Sequence, residues 1–389
     1  MKRLSFHSII AIVAALALAT GIISVASSAN WGAPVSLGAL NTPALEGCPI
    51  ESPDGLSFYF ASDRPGGVGG IDIWIAQRTS VTAPWGAAVN AGSPVNSSAD
   101  DFCPTPTDGG YLYFVSARAG GCGGADIYRA RFSSVGKWAS YETLGCQVNS
   151  PAAEFSPALV REGSDTVLYF SSARAGGFAP EEGGAAPDHD IYASRMLSDG
   201  SFAAPVLVPG VNSAADDARP NVRLDGLELV FDSTRPGGQG GPDIWVSSRQ
   251  SAGGSWSVPV NAGAPINSAA GESRPSLSRS GDRLYFGSTR PGGQGNSDVY
   301  VSSRDGAPAP VALTTASSAP PIRPPSTGDA GLAPRANASV EESGWQELRK
   351  WWCLTGAMEE MGYKTSDHHT FLESWLMNSN KTFAIYNPR

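Results

Sequence analysis

The chain has 389 residues and a net charge of −9, with 27 basic against 36 acidic side chains. A nucleic-acid partner needs a basic stripe, and none is visible, so that class is excluded. Beyond the N-terminal segment no apolar run approaches the ~20 residues of a membrane helix, so the mature chain is expected to have no membrane span.

Residues 1–29 start basic (Lys2, Arg3), continue as an apolar run from Ile9 to Val25, and end in Ser27-Ser28-Ala29. That order is the pattern of a secretory signal peptide with a small-residue cleavage site. No Cys follows the cleavage point, so a lipid anchor is not expected. The protein is read as exported, to the periplasm or outside the cell.

Residues 30–304 are built from one block that recurs five times, with a period of about 54 residues. Each block has an Asn (Asn41, Asn96, Asn149, Asn212, Asn267), then five residues later an acid (Glu46, Asp101, Glu154, Asp217, Glu272), then three residues later a Pro. Proline there suits the first residue of a strand, where a missing N–H does least harm. A turn such as Ser52-Pro53-Asp54-Gly55 follows. Asp-Gly or Ser-Gly between apolar runs signals a hairpin. The second strand is aromatic and alternating (Phe58-Tyr59-Phe60 in the first copy) and ends in Ser-x-Arg, at Arg64, Arg118, Arg174, Arg235 and Arg290. A glycine loop then leads to an Asp opening the third strand: Asp72, Asp126, Asp190, Asp243, Asp298. A fourth strand is expected to begin near Trp85, Trp138, Phe202 or Trp256.

The first such aromatic, Trp31, has no three strands before it, and the last copy ends at Arg304 without a fourth strand. The segment from Trp31 to about Leu40 is therefore expected to be the outer strand of the last blade. That closes the ring and removes exposed sheet edges. The predicted fold is all-β: a five-bladed β-propeller closed by an N-terminal outer strand.

The repeat "SPDGLSFYFASDRPGGVGGIDIW" resembles the WD40-like repeat of TolB-type propellers, also called PD40, and the likeness covers residues 31–304. It implies a bacterial envelope protein whose propeller is a protein-binding platform, sometimes beside a peptidoglycan-binding domain. No recognisable domain of that kind follows Arg304. The expected partner is an envelope protein, or alternatively a glycan.

In up-and-down blades the strand-a acid, the Arg and the strand-c Asp all fall on one face. Ten acids against five arginines leave five negative charges there. As architecture, each Arg is expected to fork between two carboxylates, its own Asp and a strand-a acid, and the Asp to accept N–H groups of the glycine loop. As function, the surplus carboxylates would hold Ca²⁺ or a basic partner, since Ca²⁺ takes oxygen ligands. No Asp-x-Asp-x-Asp loop is present, so no metal site and no cofactor is assigned. The glycine loops lack the Lys-Ser/Thr of a phosphate-binding loop.

The third copy breaks the pattern. Its Arg174-to-Asp190 spacing is sixteen residues instead of eight, and the extra stretch "FAPEEGGAAPDH" carries Glu181, Glu182, Asp188 and His189. Asymmetric loops on a symmetric scaffold tend to carry function, which makes these four the candidate binding residues. No catalytic residue is assigned. A hydrolase needs acids in unequal surroundings, whereas the repeated acids look alike in every blade. A glycan-binding propeller or a five-bladed carbohydrate-active hydrolase is the alternative to a non-catalytic platform.

Four cysteines lie in the repeats, an even count that in an exported protein suggests disulfides. Cys122–Cys146, within one blade, is favoured. Cys48–Cys103 comes second, because strand starts in neighbouring blades are expected to lie far apart. Beyond Arg304 a Pro/Ala/Ser-rich linker (305–339) and a short tail of different composition (340–389), helical in part by its pattern, are expected.

Overall fold

The computed structural model describes residues 30–133, 137–178 and 188–304. The expected signal peptide, linker and tail, and also Glu181 and Glu182, lie outside the described residues. Each repeat folds as a four-stranded antiparallel meander, and five such sheets form the propeller. Blade 1 holds β2 (Glu46–Glu51), β3 (Ser57–Ser62), β4 (Asp72–Gln77) and β5 (Val89–Asn90). Blade 2 holds β6 (Asp101–Pro106), β7 (Tyr111–Ser116), β8 (Asp126–Phe132) and β9 (Trp138–Thr143). Blade 3 holds β10 (Glu154–Glu162), β11 (Asp165–Ser172), β12 (Asp190–Arg195) and β13 (Val206–Leu207). Blade 4 holds β14 (Asp217–Val222), β15 (Glu228–Ser233), β16 (Asp243–Ser248) and β17 (Val260–Asn261). Blade 5 holds β18 (Glu272–Leu277), β19 (Arg283–Ser288) and β20 (Asp298–Ser303), and takes β1 (Val35–Ser36) as its outer strand.

The ring closes as the sequence predicts. Val35 pairs with Val301 and Ser36 with Tyr300. Trp31 forms a further bridge to Arg304. The fourth strands start later than expected in blades 1, 3 and 4, where the aromatic packs as a side chain and pairing resumes a few residues on.

The second strand of each blade is buried on both faces, which explains its near-continuous aromatic and aliphatic run. Phe58, Phe60, Phe114, Phe170, Phe231 and Phe286 are fully buried. Each such ring contributes about 1.5–3 kcal/mol by leaving water. The clusters cross from blade to blade. Phe58 meets Tyr285 of blade 5 edge-on at 5.1 Å, so the seam between the first and last blades is packed like the others.

The repeated Asn is a clamp between blades. Asn96 donates to the Ile73 carbonyl at 2.9 Å and accepts the Ile73 N–H at 2.9 Å. Asn149, Asn212 and Asn267 do the same to Ile127, Ile191 and Ile244. Asn41 does it to Val299 and so serves the seam. One side chain thereby satisfies a buried donor and a buried acceptor of the strand before it.

Candidate site at the mouth of the central channel

The repeated charges meet on the face of the d–a and b–c loops. In each blade the strand-a acid is fully buried and pairs with the Arg of the same copy. The distances are 2.9 Å for Arg64–Glu46, 2.7 Å for Arg118–Asp101, 3.1 Å for Arg174–Glu154 and 3.2 Å for Arg290–Glu272, with Arg235–Asp217 closer still. The acid has further partners. Glu46 accepts from the Thr42 backbone and hydroxyl and from the Ser62 hydroxyl. The Arg reaches back to a loop carbonyl, Leu40 in blade 1, and lies over the rings of Phe60 and Trp74.

The strand-c Asp takes no part in that pair. The expected fork of each Arg between two carboxylates is therefore corrected to one carboxylate plus backbone carbonyls. Asp72 instead accepts the N–H groups of Val68 and Gly69 inside its own glycine loop, and Asp126, Asp243 and Asp298 accept their own loops in the same way. The loop turns so tightly around this carboxylate that a Cβ at Gly67 would sit 2.1 Å from Asp72 Oδ2. Each of the ten acids bonds within its own blade, although Asp126, Asp190 and Asp243 each keep one buried oxygen without a partner. Among the described residues no three His, Cys, Asp or Glu side chains converge in a way that would hold a metal ion.

What faces the axis is a different set. Two residues after each acid the first strand carries a bulge: Gly47 pairs with Ala61 but Ile50 with Tyr59, so one extra residue sits on the inner strand. The same slip occurs in all five blades. The bulged residues are Cys48, Cys103, Ser156, Arg219 and Arg274, with φ between 47° and 55°. A left-handed conformation costs a non-glycine residue roughly 1–2 kcal/mol. A bulge re-aims its side chain, and here all five line one small cavity of about 30 Å³ on the axis.

Both expected disulfides form, and the ring corrects only the expectation that strand starts of neighbouring blades lie far apart. Cys48 and Cys103 are bonded, with Cα atoms 4.8 Å apart, because the inner strands of neighbouring blades converge at the axis. Cys122 and Cys146 are bonded as well, at 5.5 Å. Ser156 donates to the Cys103 sulfur at 3.2 Å.

Blades 4 and 5 put arginines in the ring. Arg219 pairs with Asp232 at 2.6 Å, and the same carboxylate accepts the Arg274 backbone N–H at 2.8 Å. Burial pushes the Asp232 carboxyl up, against the pull of Arg219. Burial and the neighbouring Arg219 push the Arg274 guanidinium down, to about 10.

Beside the arginines lies an aromatic pair. Phe102 and Phe155 stand one residue before two of the bulges, with ring centres 5.8 Å apart. The Arg219 guanidinium lies 6.0 Å from the Phe155 ring. His189, singled out from the sequence, packs edge-on against Phe155 at 5.0 Å. Its Nδ1 lies 2.7 Å from Asp216 Oδ1, and its backbone N–H donates to the same oxygen at 2.9 Å. Burial raises the Asp216 carboxyl, but the bonds from His189 outweigh it and hold the group below its usual range. Asp188 is raised, by burial and then by the carboxylates of Asp216 and Asp217. Asp190 accepts the Phe178 N–H at 2.7 Å, so the strand-c contact survives the insertion; burial, against that bond, pushes the carboxyl up to about 6.

No protein-family model and no curated protein matches the chain. Solved structures with a similar fold exist. One is the α-L-arabinofuranosidase PaAbf62A from Podospora anserina, 11% identical, with 72% of this chain and 97% of that one covered and a TM-score of 0.46. TolB from Acinetobacter baumannii is 15% identical, with 68% of this chain and 55% of that one covered and a TM-score of 0.40. An α-L-arabinofuranosidase from Lactobacillus brevis is 13% identical over 67% of this chain and 90% of its own, with a TM-score of 0.46. Likeness at this level assigns no activity.

The sequence reading named Cys48 and Cys103 but missed Ser156, Arg219 and Arg274, because the bulge position and the one before it both vary between an unvarying acid and an unvarying Pro. The usable signal was that contrast: a freely varying position directly before an unvarying Pro. On the opposite face it also missed Arg78, Arg249 and Arg304, which pair with Glu51, Glu162 and Glu228 at 2.9, 2.6 and 2.7 Å. Each of these lies over a tryptophan, Trp85, Trp256 or Trp31.

Proposed function

We propose that this protein is an exported, non-catalytic binding platform of the bacterial cell envelope, and that its partner is a protein engaged at the loop face around the channel mouth. The observation that carries this reading is the division of labour among the charges. Every repeated acid bonds within its own blade, while residues that differ between blades form one chain of contacts: Phe102, His189 and Arg219 each lie against Phe155, and Arg219 shares the axial ring with Arg274. A symmetric scaffold with one asymmetric patch fits recognition of one partner. Two disulfides support an oxidising compartment, in keeping with the signal-peptide reading of residues 1–29.

A hydrolase is the second reading, and one observation favours it. Asp188 and Asp190 are raised while Asp216 is lowered, so acids in unequal surroundings do sit beside the channel. Against it, Asp190 is 1% exposed, and Asp232 at the channel wall is held by Arg219 and a backbone N–H. A glycosidase needs two free carboxyl groups on either side of a sugar bond.

The test is a crosslinking capture from envelope extracts with the mature chain as bait, with and without residues 178–189. Capture of one protein only when the insertion is present supports the platform. Cleavage of chromogenic glycosides, lost in Asp188→Asn or Asp216→Asn, would replace it with the hydrolase.

A further inference from the structure

Arg274 differs from every other arginine described at the channel. Among the described residues its guanidinium makes no hydrogen bond and no ion pair, although the chain is acidic overall. The reason lies in the blades on either side. The strand-b position that supplies Asp232 in blade 4 is Gly287 in Arg274's own blade 5 and Ala61 in blade 1, so Asp232, already paired with Arg219, is the one carboxylate this position supplies on either side. Gly47 then leaves room for the long side chain: a Cβ there would stand 3.0 Å from Arg274 Nη1. Arg219 and Arg274 against the single Asp232 leave one positive charge in the channel wall.

A half-buried guanidinium with no hydrogen-bonded or ion-paired partner of its own is a prepared site for an oxyanion, and its planar fork matches a carboxylate. The surroundings select among anions. Below the ring the channel continues past Ile50, Leu159, Val222 and Leu277, with Thr105 and Asn221 among them, a wall that offers an apolar stem more surface than polar partners. The cavity of about 30 Å³ is far too small for a folded surface and admits only a slender group such as a carboxylate.

We propose that Arg274, with Arg219 beside it, forms an anion site that receives one carboxylate on a slender apolar stem, as an extended peptide end carries. This rests on the platform reading only in taking a polypeptide as the source of the carboxylate. Arg274 supplies the unshared fork. Arg219, tied to Asp232, keeps the site positive and limits how many anions it takes. The rings of Phe102 and Phe155 pair with each other on blades 2 and 3, Phe155 beside Arg219.

The test uses the full chain with nitrogen-labelled arginine. The Arg274 Nε–H resonance is identified by its loss in Arg274→Gln. The probes are N-acetyl-leucyl-alanine as the free acid, the same dipeptide as its amide, and galacturonate. The free acid is expected to move this resonance saturably and to bind at least about tenfold more tightly than the amide. Calorimetry is expected to lose that preference in Arg274→Gln and keep part of it in Arg274→Lys, which retains the charge without the fork. Equal binding of acid and amide, no shift with any probe, or tighter binding of galacturonate would overturn the proposal. The capture experiment reads contacts of the insertion and not of Arg274, so either result can fail without the other.

Discussion

Arg219 and Asp232 form an ion pair of 2.6 Å on the channel wall, and the second oxygen of the same carboxylate is taken by the backbone N–H of Arg274 in the next blade. One acid therefore fixes two bulges and offsets one of two arginines. This is the point where the five-fold pattern is broken by charge and not by loop length.

Replacing Asp232 by Asn should separate two roles. The carboxylate is 1% exposed, and removing one partner of a buried pair leaves an uncompensated charge, at a cost of about 3–5 kcal/mol. Urea unfolding of Asp232→Asn should show a loss of that order. The same variant should bind the free-acid dipeptide more tightly, because the wall gains a positive charge. A purely structural Asp232 would show the stability loss without the gain in binding.

The repeated pairs should behave alike despite their different acids. Arg118→Ala leaves Asp101, fully buried, with only its Ser97 contacts, and Arg64→Ala leaves Glu46 with Thr42 and Ser62. Each should cost about 3–5 kcal/mol. The two losses should agree within about 1 kcal/mol by chemical unfolding, since the environments are copies. A loss below that range in one blade would show that its pair is not part of the common architecture.

Most of the fold was legible in the chain, and the reason is repetition. A Pro, an Asn or a Ser-x-Arg that recurs five times has its role averaged over five settings, so strand order and ring closure followed from spacing alone. The partner of each Arg did not follow. Spacing puts two acids near every Arg, but only three-dimensional placement shows that the glycine loop's own N–H groups have already claimed the strand-c Asp, as Val68 and Gly69 claim Asp72. The channel was less legible still. Cys48 and Arg274 have nothing in common as side chains, and what unites them is a backbone φ near +50° that propensities do not report. His189 was found because it interrupts the repeat; Phe155, which it packs against, sits inside the repeat and drew no notice.

The two disulfides should differ in what they contribute. Cys48–Cys103 spans 55 residues and Cys122–Cys146 spans 24. Loop-closure entropy of the unfolded chain gives about 4 kcal/mol for the first and about 3.5 kcal/mol for the second. Paired Cys→Ser variants, compared by urea unfolding, should both be destabilised, with Cys48→Ser/Cys103→Ser the weaker protein. The reverse order would mean that the channel bond is opposed in the folded state by the bulges it joins.

Asp190 should give the domain a distinctive acid-side dependence. Its folded carboxyl is pushed from the ordinary 3.8 up to about 6, so the folded state holds this proton where the unfolded state has released it. A raised folded value contributes stability that is complete below about pH 4 and is lost as pH rises through about 6. The unfolded chain binds fewer protons in that window, so the slope of stability against pH is negative there for this group. A rise of that size corresponds to about 2–3 kcal/mol at most. Asp190→Asn removes the titrating group but keeps an oxygen for the Phe178 N–H. Relative to the parent chain, this variant should gain stability between about pH 4 and 7, and the difference should level off above that. Urea midpoints for the two proteins across this range measure it directly. A difference that stays flat, or that grows as pH falls, would show that the carboxylate is held in its charged form by the insertion beside it.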